Sequence, residues 1–167
     1  MSLEERILAE ARGLAAGAEF APGLVPDYYG VDPAGDCTVS LPLGDGKASW
    51  IDARDVAEVA AAVLTDDGHN GKTYVLTGPT ALSAAEALAT LGEALGHTYT
   101  YVDVSEDESR RAMDEAGIPA WLIDAYSELN AVIKNGYASG VAPGMREVLD
   151  REGRTFAEFA RDLAAGR

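Results

Sequence analysis

Segments with the periodicity of strands and of helices alternate along the middle of this chain, and this alternation restricts the fold more than any other feature. Trp50-Ile51 leads into an apolar helical stretch at 52–64, and Tyr74-Val75-Leu76-Thr77 then has the β-branched and aromatic character of a buried strand. A further helical stretch runs from Leu82 to Leu95. Strands that alternate with helices are typical of α/β domains, so we expect an α/β, or α+β, fold.

Helix starts are marked at three places by a capping box, in which Ser or Thr is followed three residues later by Glu. The three pairs are Ser83 and Glu86, Ser105 and Glu108, and Thr155 and Glu158. Other helices are predicted at 3–16, around 145–151, and after Pro119, where Leu122, Tyr126, Leu129 and Ile133 share one face. The chain is therefore expected to contain about six helices.

Four or five short strands are predicted beside the helices. Residues 38–43 and 48–51 flank Gly44-Asp45-Gly46-Lys47, whose Asp-Gly pair is typical of a hairpin turn. Residues 99–104 are rich in β-branched and aromatic side chains. Because strands this short must pair, we expect the hairpin 38–51 and the strand 99–104 to form a second small sheet or an extension.

A strand candidate at 18–21 completes the expected main sheet, with Phe20 and Val75 on neighbouring strands. Apolar periodicity also predicts a set of largely buried side chains. They are Phe20, Ile51, Val56, Val59, Val63, Val75, Leu88, Leu91, Leu95, Val102, Leu122, Leu129, Phe156 and Phe159.

Length and charge restrict the class of protein. The 167 residues are expected to form a single domain, 1–167, with a core of its own. A net charge of −15 repels phosphate backbones and anionic lipids, which disfavours nucleic-acid and membrane partners, although acidity also simply keeps a protein soluble. Because no apolar stretch approaches the roughly 20 residues that cross a bilayer and the first residues are acidic rather than basic, we expect a cytoplasmic protein.

No constellation of side chains stands out as catalytic. Asp52, Asp55 and Glu58 could supply a pair of carboxylates for acid–base catalysis. Their spacing, however, is that of a first helical turn, where acids cap the helix and complement its dipole. We therefore favour capping.

No metal site is predicted either. The single cysteine, Cys37, excludes an internal disulfide and is interpreted as a structural thiol. His69 and His97 lie in separate turns without a nearby cysteine or helical partner, which argues against metal binding.

The order of these motifs resembles the carboxy-terminal half of the NmrA-like, atypical short-chain dehydrogenase/reductase family. The matching segments are the opening helix with Glu19-Phe20-Ala21-Pro22-Gly23, Gly44-Asp45-Gly46, Asp52–Leu64, Tyr74–Pro79, Leu82–Leu95, Tyr101-Val102-Asp103-Val104 and Thr155–Phe159. The resemblance covers essentially the whole chain. It implies the edge of a truncated Rossmann-type sheet together with the small sheet of a substrate lobe.

Two departures from the family bear on function. The glycine-rich turn that places a pyrophosphate at a helix amino terminus is absent, together with the strands around it. In addition, the arginine that precedes Pro-Gly in the family is Ala21 here. We therefore expect no independent cofactor binding, and NAD(P) is implied by the resemblance only.

Aromatic residues form the most suggestive candidate site. Tyr28 and Tyr29 lie in a loop rich in proline and glycine, and Trp121 and Tyr126 lie at the start of the long helix. The resemblance implies that these two segments face the substrate, and small-molecule pockets are commonly apolar with a few polar groups. These four residues are predicted to bind substrate. Trp50 is better explained as core, whereas Trp121 is equally compatible with the core and with a pocket.

The leading functional hypothesis is a cofactor-less NmrA-like domain that binds a small molecule or a protein. The alternative is an NAD(P)-dependent oxidoreductase, reductase-like or epimerase-like, of which this chain is a fragment, or a cofactor-independent enzyme derived from one. As partner we expect a second copy, in a homodimer that buries Leu3, Ile7 and Phe20, because the absent half leaves a sheet edge uncovered. Association with a separate nucleotide-binding half, or coverage of the edge by the loop 24–36, would replace that dimer.

Overall fold

The computed structural model describes residues 34–166 of the chain. The predicted helix 3–16 and strand 18–21, the loop tyrosines Tyr28 and Tyr29, and the dimer surface around Phe20 lie outside the described residues.

Four short strands form two separate sheets in the described range. β1 (Cys37–Leu41) and β4 (Tyr99–Asp103) pair in parallel, with Cys37 opposite Tyr99 and Leu41 opposite Asp103. β2 (Lys47–Ala48) and β3 (Leu82–Ser83) pair antiparallel. Six helices accompany these strands within residues 34–166: α1 (Ala53–Thr65), α2 (Ala84–Leu95), α3 (Glu106–Glu115), α4 (Ala120–Lys134), α5 (Gly144–Leu149) and α6 (Phe156–Ala164). The predicted mixture of helices and small sheets is confirmed.

The three predicted capping boxes are all formed. At the start of α2 the Ser83 hydroxyl accepts a hydrogen bond from the Glu86 amide at 3.2 Å, and the Glu86 carboxylate accepts one from the Ser83 amide at 2.8 Å. The same reciprocal pair begins α3 and α6. These motifs act within one helical turn, which is why the sequence alone predicts them.

The predicted hairpin 38–51 is wrong. The chain does turn, since the Gly46 amide donates to the Leu43 carbonyl at 2.9 Å, but β1 pairs with β4 and β2 pairs with β3. The Tyr101 hydroxyl lies 3.0 Å from the Leu41 carbonyl and accepts from the Leu43 amide at 3.2 Å, which holds the end of β1 against β4. The expectation that 99–104 shares a sheet with this region is thus confirmed for β1 alone.

The predicted strand Tyr74–Thr77 is not a strand in the described structure. Val75, expected to be buried, is 64% exposed. Within residues 34–166 no backbone–backbone hydrogen bond joins this stretch to another segment, although the Ala142 amide donates to the Thr77 hydroxyl at 2.9 Å. A strand forms only where a neighbouring strand pairs with its amides and carbonyls. Its predicted neighbour, Phe20, lies outside the described residues.

The core lies where α2 packs against α6 and against the β1–β4 sheet. Its fully enclosed side chains include Val39, Leu43, Leu88, Leu91 and Ala160. Of the predicted core, Val59, Leu88, Leu91 and Phe156 are buried, whereas Ile51, Val63, Leu95, Leu122 and Phe159 are half-buried.

Predicted burial is wrong for Val56, Val75, Val102 and Leu129, which are exposed. On α4 the cause is a rotated face, because the buried residues are Ile123, Ser127, Asn130 and Ile133. Two of these side chains are polar, so apolar periodicity could not identify the face that packs. No helix in the described range is long and apolar enough to cross a membrane.

Candidate functional site

Two of the four predicted substrate-binding residues lie in the described range, both on α4. Trp121, in the first turn, is 71% exposed, and Tyr126 is half-buried. Their predicted companions Tyr28 and Tyr29 lie outside the described residues. The exposure of Trp121 argues against the core interpretation of this residue and leaves its indole ring accessible to a ligand.

The outer face of α4 carries exposed apolar side chains beside the exposed acids Asp124 and Glu128. Leu129 and Val132 are 44% and 42% exposed, and with Trp121 they recur at helical spacing on one side. The inner face, in contrast, buries the polar Ser127 and Asn130. Exposed apolar side chains that lie close together mark a candidate contact surface for a ligand or for another part of the protein.

Arg110 fixes the position of α4 against α3. Its guanidinium donates to the Ser127 hydroxyl at 2.8 Å and to the Asp124 carboxylate at 2.5 Å. The hydrogen bond to Asp124 raises the pKa of Arg110 above its ordinary value. This bridge joins two helices across more than ten residues of sequence, and no motif in the sequence indicated it.

Asp52 caps α1, as predicted. Its carboxylate accepts a hydrogen bond from the Arg54 amide at 2.8 Å and two from the Arg54 side chain at 3.0 and 2.6 Å. Burial opposes ionisation of Asp52, but these hydrogen bonds outweigh it and hold its pKa below the ordinary value. These contacts make the carboxylate a structural cap of α1.

Asp55 and Glu58 do more than complement the helix dipole. Asp55 is completely buried and accepts hydrogen bonds from Arg151 at 2.9 Å, from the Arg154 amide at 2.6 Å and from the Arg154 guanidinium. Glu58 binds the same two arginines at 2.5 and 2.7 Å. The acids of α1 thus hold the loop 151–154 in an ion cluster in which only Asp55 is fully buried, and both carboxylates are engaged by arginines.

Tyr101 is also structural. Its hydroxyl accepts from the Leu43 amide and lies within hydrogen-bond distance of the Leu41 carbonyl and the Asp103 carboxylate, which in turn accepts from the Gly44 amide at 2.7 Å. Burial raises the pKa of Tyr101 to about 12, and the neighbouring negative charge of Asp103 acts in the same direction. A phenol this weakly acidic is a poor proton donor near neutral pH.

The described residues contain no group of side chains that could hold a metal ion. His69 shares a 2.8 Å hydrogen bond with the Tyr74 hydroxyl. His97 lies 3.8 Å from the Asp36 carboxylate, and Cys37 packs partly buried against the core.

The described residues do not fit the pyrophosphate of a dinucleotide. Anions bind at helix amino termini through free amide groups, but four of these termini are occupied by carboxylates of the chain itself: Asp52, Glu86, Glu108 and Glu158. The remaining two helices, α4 and α5, begin after prolines, and although Gly136, Gly140 and Gly144 lie at and before the start of α5, their spacing is not that of the G-x-G-x-x-G turn. A nucleotide would therefore need a binding site made by residues outside this range.

Comparison with known proteins identifies relatives of the chain, although no protein-family model matches it. The sequence is 46% identical over 125 residues to the NAD(P)H azoreductase of Xenophilus azovorans, a match that covers 75% of this chain and 44% of the azoreductase. The chain thus spans less than half the length of this curated relative.

Solved structures share the fold. The NADPH-dependent quinone oxidoreductase QOR2 of Escherichia coli, complexed with NADPH, superimposes with a TM-score of 0.68 at 24% identity and covers 96% of this chain and 50% of that chain. An NmrA variant superimposes with a TM-score of 0.52 at 20% identity, covering 82% of this chain and 46% of that chain. These two structures show that the chain shares their fold; taken with the azoreductase match, they agree with the relation to the carboxy-terminal part of NmrA-like, atypical short-chain dehydrogenases/reductases that the order of motifs predicted.

Proposed function

We propose that this chain forms the substrate-side part of an NAD(P)H-dependent reductase. The observation that carries the proposal is the 46% identity to an NAD(P)H azoreductase over 125 residues. The leading hypothesis from the sequence, a cofactor-less binding module, receives no specific support from the comparisons, and its oxidoreductase alternative explains them better.

The proposal divides two tasks between two parts of the enzyme. Because the described residues do not fit a pyrophosphate, the nucleotide is held outside residues 34–166, in the same polypeptide or in a separate chain. The described residues contribute α4, which the Arg110 bridge holds in position. Trp121 and Tyr126 on this helix, together with Tyr28 and Tyr29, are the proposed substrate contacts.

The chemistry of α4 suggests a planar, conjugated acceptor. An exposed indole ring offers a flat apolar surface for stacking against an aromatic ligand, and Leu129 and Val132 are further exposed apolar side chains on the same side of the helix. The net charge of −15 disfavours strongly anionic substrates. Neutral or cationic azo compounds and quinones fit this description.

The experiment is an acceptor-dependent assay of NADPH oxidation. The chain is co-expressed with the amino-terminal part of the Xenophilus azovorans azoreductase, the part that precedes the matched region, and the purified complex is assayed with an azo dye and with a quinone. We expect the complex to oxidise NADPH only when an acceptor is present. For the chain alone we expect no saturable change in nicotinamide fluorescence on titration with NADPH.

A matched pair of variants tests the site. Trp121→Ala should raise the KM for the acceptor several-fold with little change in kcat, whereas Tyr137→Ala, at an exposed aromatic residue outside α4, should leave both unchanged. Neither variant should alter the unfolding midpoint. Absence of acceptor-dependent oxidation in the complex would refute the proposed function, and saturable NADPH binding to the chain alone would refute the division of tasks.

A further inference from the structure

Two asparagine–glycine pairs occur in the chain, Asn70-Gly71 and Asn135-Gly136. Asparagine is most prone to lose its side-chain amide when glycine follows it, because the glycine nitrogen then reaches the side-chain carbonyl without a Cβ in the way and with a freely rotating backbone. Both asparagines are exposed, and a Cβ placed on either glycine would meet no atom within 4 Å. Sequence and solvent access therefore do not distinguish the two sites, whereas hydrogen bonding does.

The hydrogen bonds of Asn135-Gly136 hold both reacting groups. The Asn135 side-chain amide donates to the Ala131 carbonyl at 2.7 Å, and the Gly136 amide donates to the Ile133 carbonyl at 2.9 Å. The reaction requires the Gly136 nitrogen to leave its carbonyl partner and the Asn135 side chain to rotate away from the end of α4. The folded chain thus protects this site.

Asn70-Gly71 lies in the turn that follows α1, where residues 66–68 and 70–73 are all exposed. The ends of this turn are held, since the Lys72 amide donates to the His69 carbonyl at 3.1 Å and the His69 ring shares a 2.8 Å hydrogen bond with the Tyr74 hydroxyl. In the described range, neither the Asn70 side chain nor the Gly71 amide takes part in a hydrogen bond. Both reacting groups of this pair are therefore free to meet.

We propose that Asn70 is a site of spontaneous deamidation and isoaspartate formation in the folded chain, and that Asn135 is not. The Gly71 nitrogen loses its proton to solvent and attacks the Asn70 Cγ atom. The new C–N bond closes a succinimide ring, the Cγ–Nδ2 bond breaks, and the leaving nitrogen takes a proton and departs as ammonia.

Water then opens the ring at one of its two carbonyl carbons. Cleavage of the bond between Cγ and the Gly71 nitrogen gives aspartate, and cleavage of the bond between the Asn70 backbone carbonyl carbon and that nitrogen gives isoaspartate. Water is the only co-reactant, and nothing is oxidised or reduced. The inference does not depend on the proposed function.

The product changes the charge and the geometry at the end of α1. Deamidation adds a carboxylate to a turn that already holds Asp66 and Asp67, beside the negative end of the α1 dipole, and the last turn of α1 has no basic residue. Isoaspartate also adds one backbone atom between His69 and Lys72, whose hydrogen bond closes the turn. The modified chain is thus a separate, more acidic form of the protein.

The test follows both sites in one sample of the purified full chain, kept at mildly alkaline pH. Trypsin releases each asparagine in a peptide of its own, residues 55–72 for Asn70 and residues 135–146 for Asn135. Mass spectrometry measures the fraction of each side-chain amide converted to acid, electron-transfer fragmentation identifies isoaspartate, and a zero-time sample corrects for conversion during digestion. A parallel sample in guanidinium chloride gives the same two rates for the unfolded chain.

In the folded chain we expect Asn70 to convert at least roughly ten times faster than Asn135, because each of the two hydrogen bonds at Asn135-Gly136 slows the reaction by roughly two- to tenfold. In guanidinium chloride the two rates should be comparable, since glycine follows both asparagines. Equal rates in the folded chain, or conversion of Asn70 only in guanidinium chloride, would overturn the proposal. A difference that persists undiminished in guanidinium chloride would also overturn it, because the preference would then come from the local sequence and not from the fold.

A matched pair of variants tests the site in the intact chain. In Asn70→Gln the longer side chain closes its ring far more slowly, so the more acidic form resolved by isoelectric focusing should no longer accumulate. Asn135→Gln is the control and should accumulate that form at the wild-type rate. Circular dichroism first establishes that both variants fold as wild type does, and unchanged accumulation in Asn70→Gln would overturn the proposal.

Discussion

The buried carboxylate of Asp55 provides the sharpest test of how this fold is held together. It is completely enclosed, and its three hydrogen bonds join α1 to Arg151 and Arg154. Asp55→Asn preserves the volume of the side chain but removes its charge. The new amide nitrogen would also face N–H groups that need an acceptor.

The size of the loss follows from these contacts. Removing one partner of a buried ion pair costs about 3–5 kcal/mol, and each hydrogen bond to a charged group contributes about 1.5–3 kcal/mol. Asparagine keeps one acceptor oxygen, and the two arginine side chains are 34% and 30% exposed, so water can solvate them again. We therefore expect the lower end, about 3 kcal/mol, which lowers the Tm by roughly 6–12 °C for a chain of this size.

The assay is urea unfolding followed by circular dichroism, with Glu58→Gln as the control. Glu58 binds the same arginines but its side chain is 42% exposed, so its replacement should cost only about 0.5–1 kcal/mol. The loss for Asp55→Asn should also persist at high salt, because a buried charge is weakly screened. If Asp55→Asn lowers the free energy of unfolding by less than about 1 kcal/mol, or by as much as Glu58→Gln does, then burial does not increase the contribution of Asp55 to stability.

Three further predictions concern stability. Gly78→Ala should destabilise the chain by about 2 kcal/mol or more, because the added Cβ would lie 1.8 Å from the Trp50 carbonyl oxygen. Gly140→Ala is the control, since its added Cβ meets no atom within 4 Å. Equal melting temperatures of the two variants would contradict the prediction. Ser83→Ala should cost about 1 kcal/mol in urea unfolding through loss of the α2 cap, and an unchanged midpoint would show that the cap contributes nothing. Burial opposes ionisation of Glu58, but hydrogen bonds from its two arginine partners hold its pKa below the ordinary 4.5. The stabilisation that ionised Glu58 contributes is therefore complete above about pH 4.5 and is lost as the pH falls through the lowered pKa. The Tm of wild type should thus fall more steeply in acid than the Tm of Glu58→Gln. Parallel curves of Tm against pH would refute this role of Glu58.

Features that depend on neighbouring residues could be read from the sequence. The capping boxes, the Asp52 cap and the helical stretch of α1 all rest on interactions within a few residues. The order of such segments was sufficient to predict the mixed α/β class and the relation to the NmrA-like family, which the comparisons confirmed. The aromatic candidates on α4 were also found from the sequence, and their role in binding stays a prediction.

Features that depend on residues far apart were decided by the tertiary structure. The Gly44–Lys47 turn was compatible with a hairpin, but β1 instead pairs with β4, about sixty residues away along the chain, where the Tyr101 hydroxyl holds the Leu41 carbonyl. Asp55 had the spacing of a dipole-complementing acid and became the buried partner of arginines about a hundred residues later. Local motifs specify where helices begin, because the interacting residues lie in the same turn. Strand pairing, ion clusters and the exposed faces of α1 and α4 depend instead on which surfaces pack together, and only the folded chain determines that.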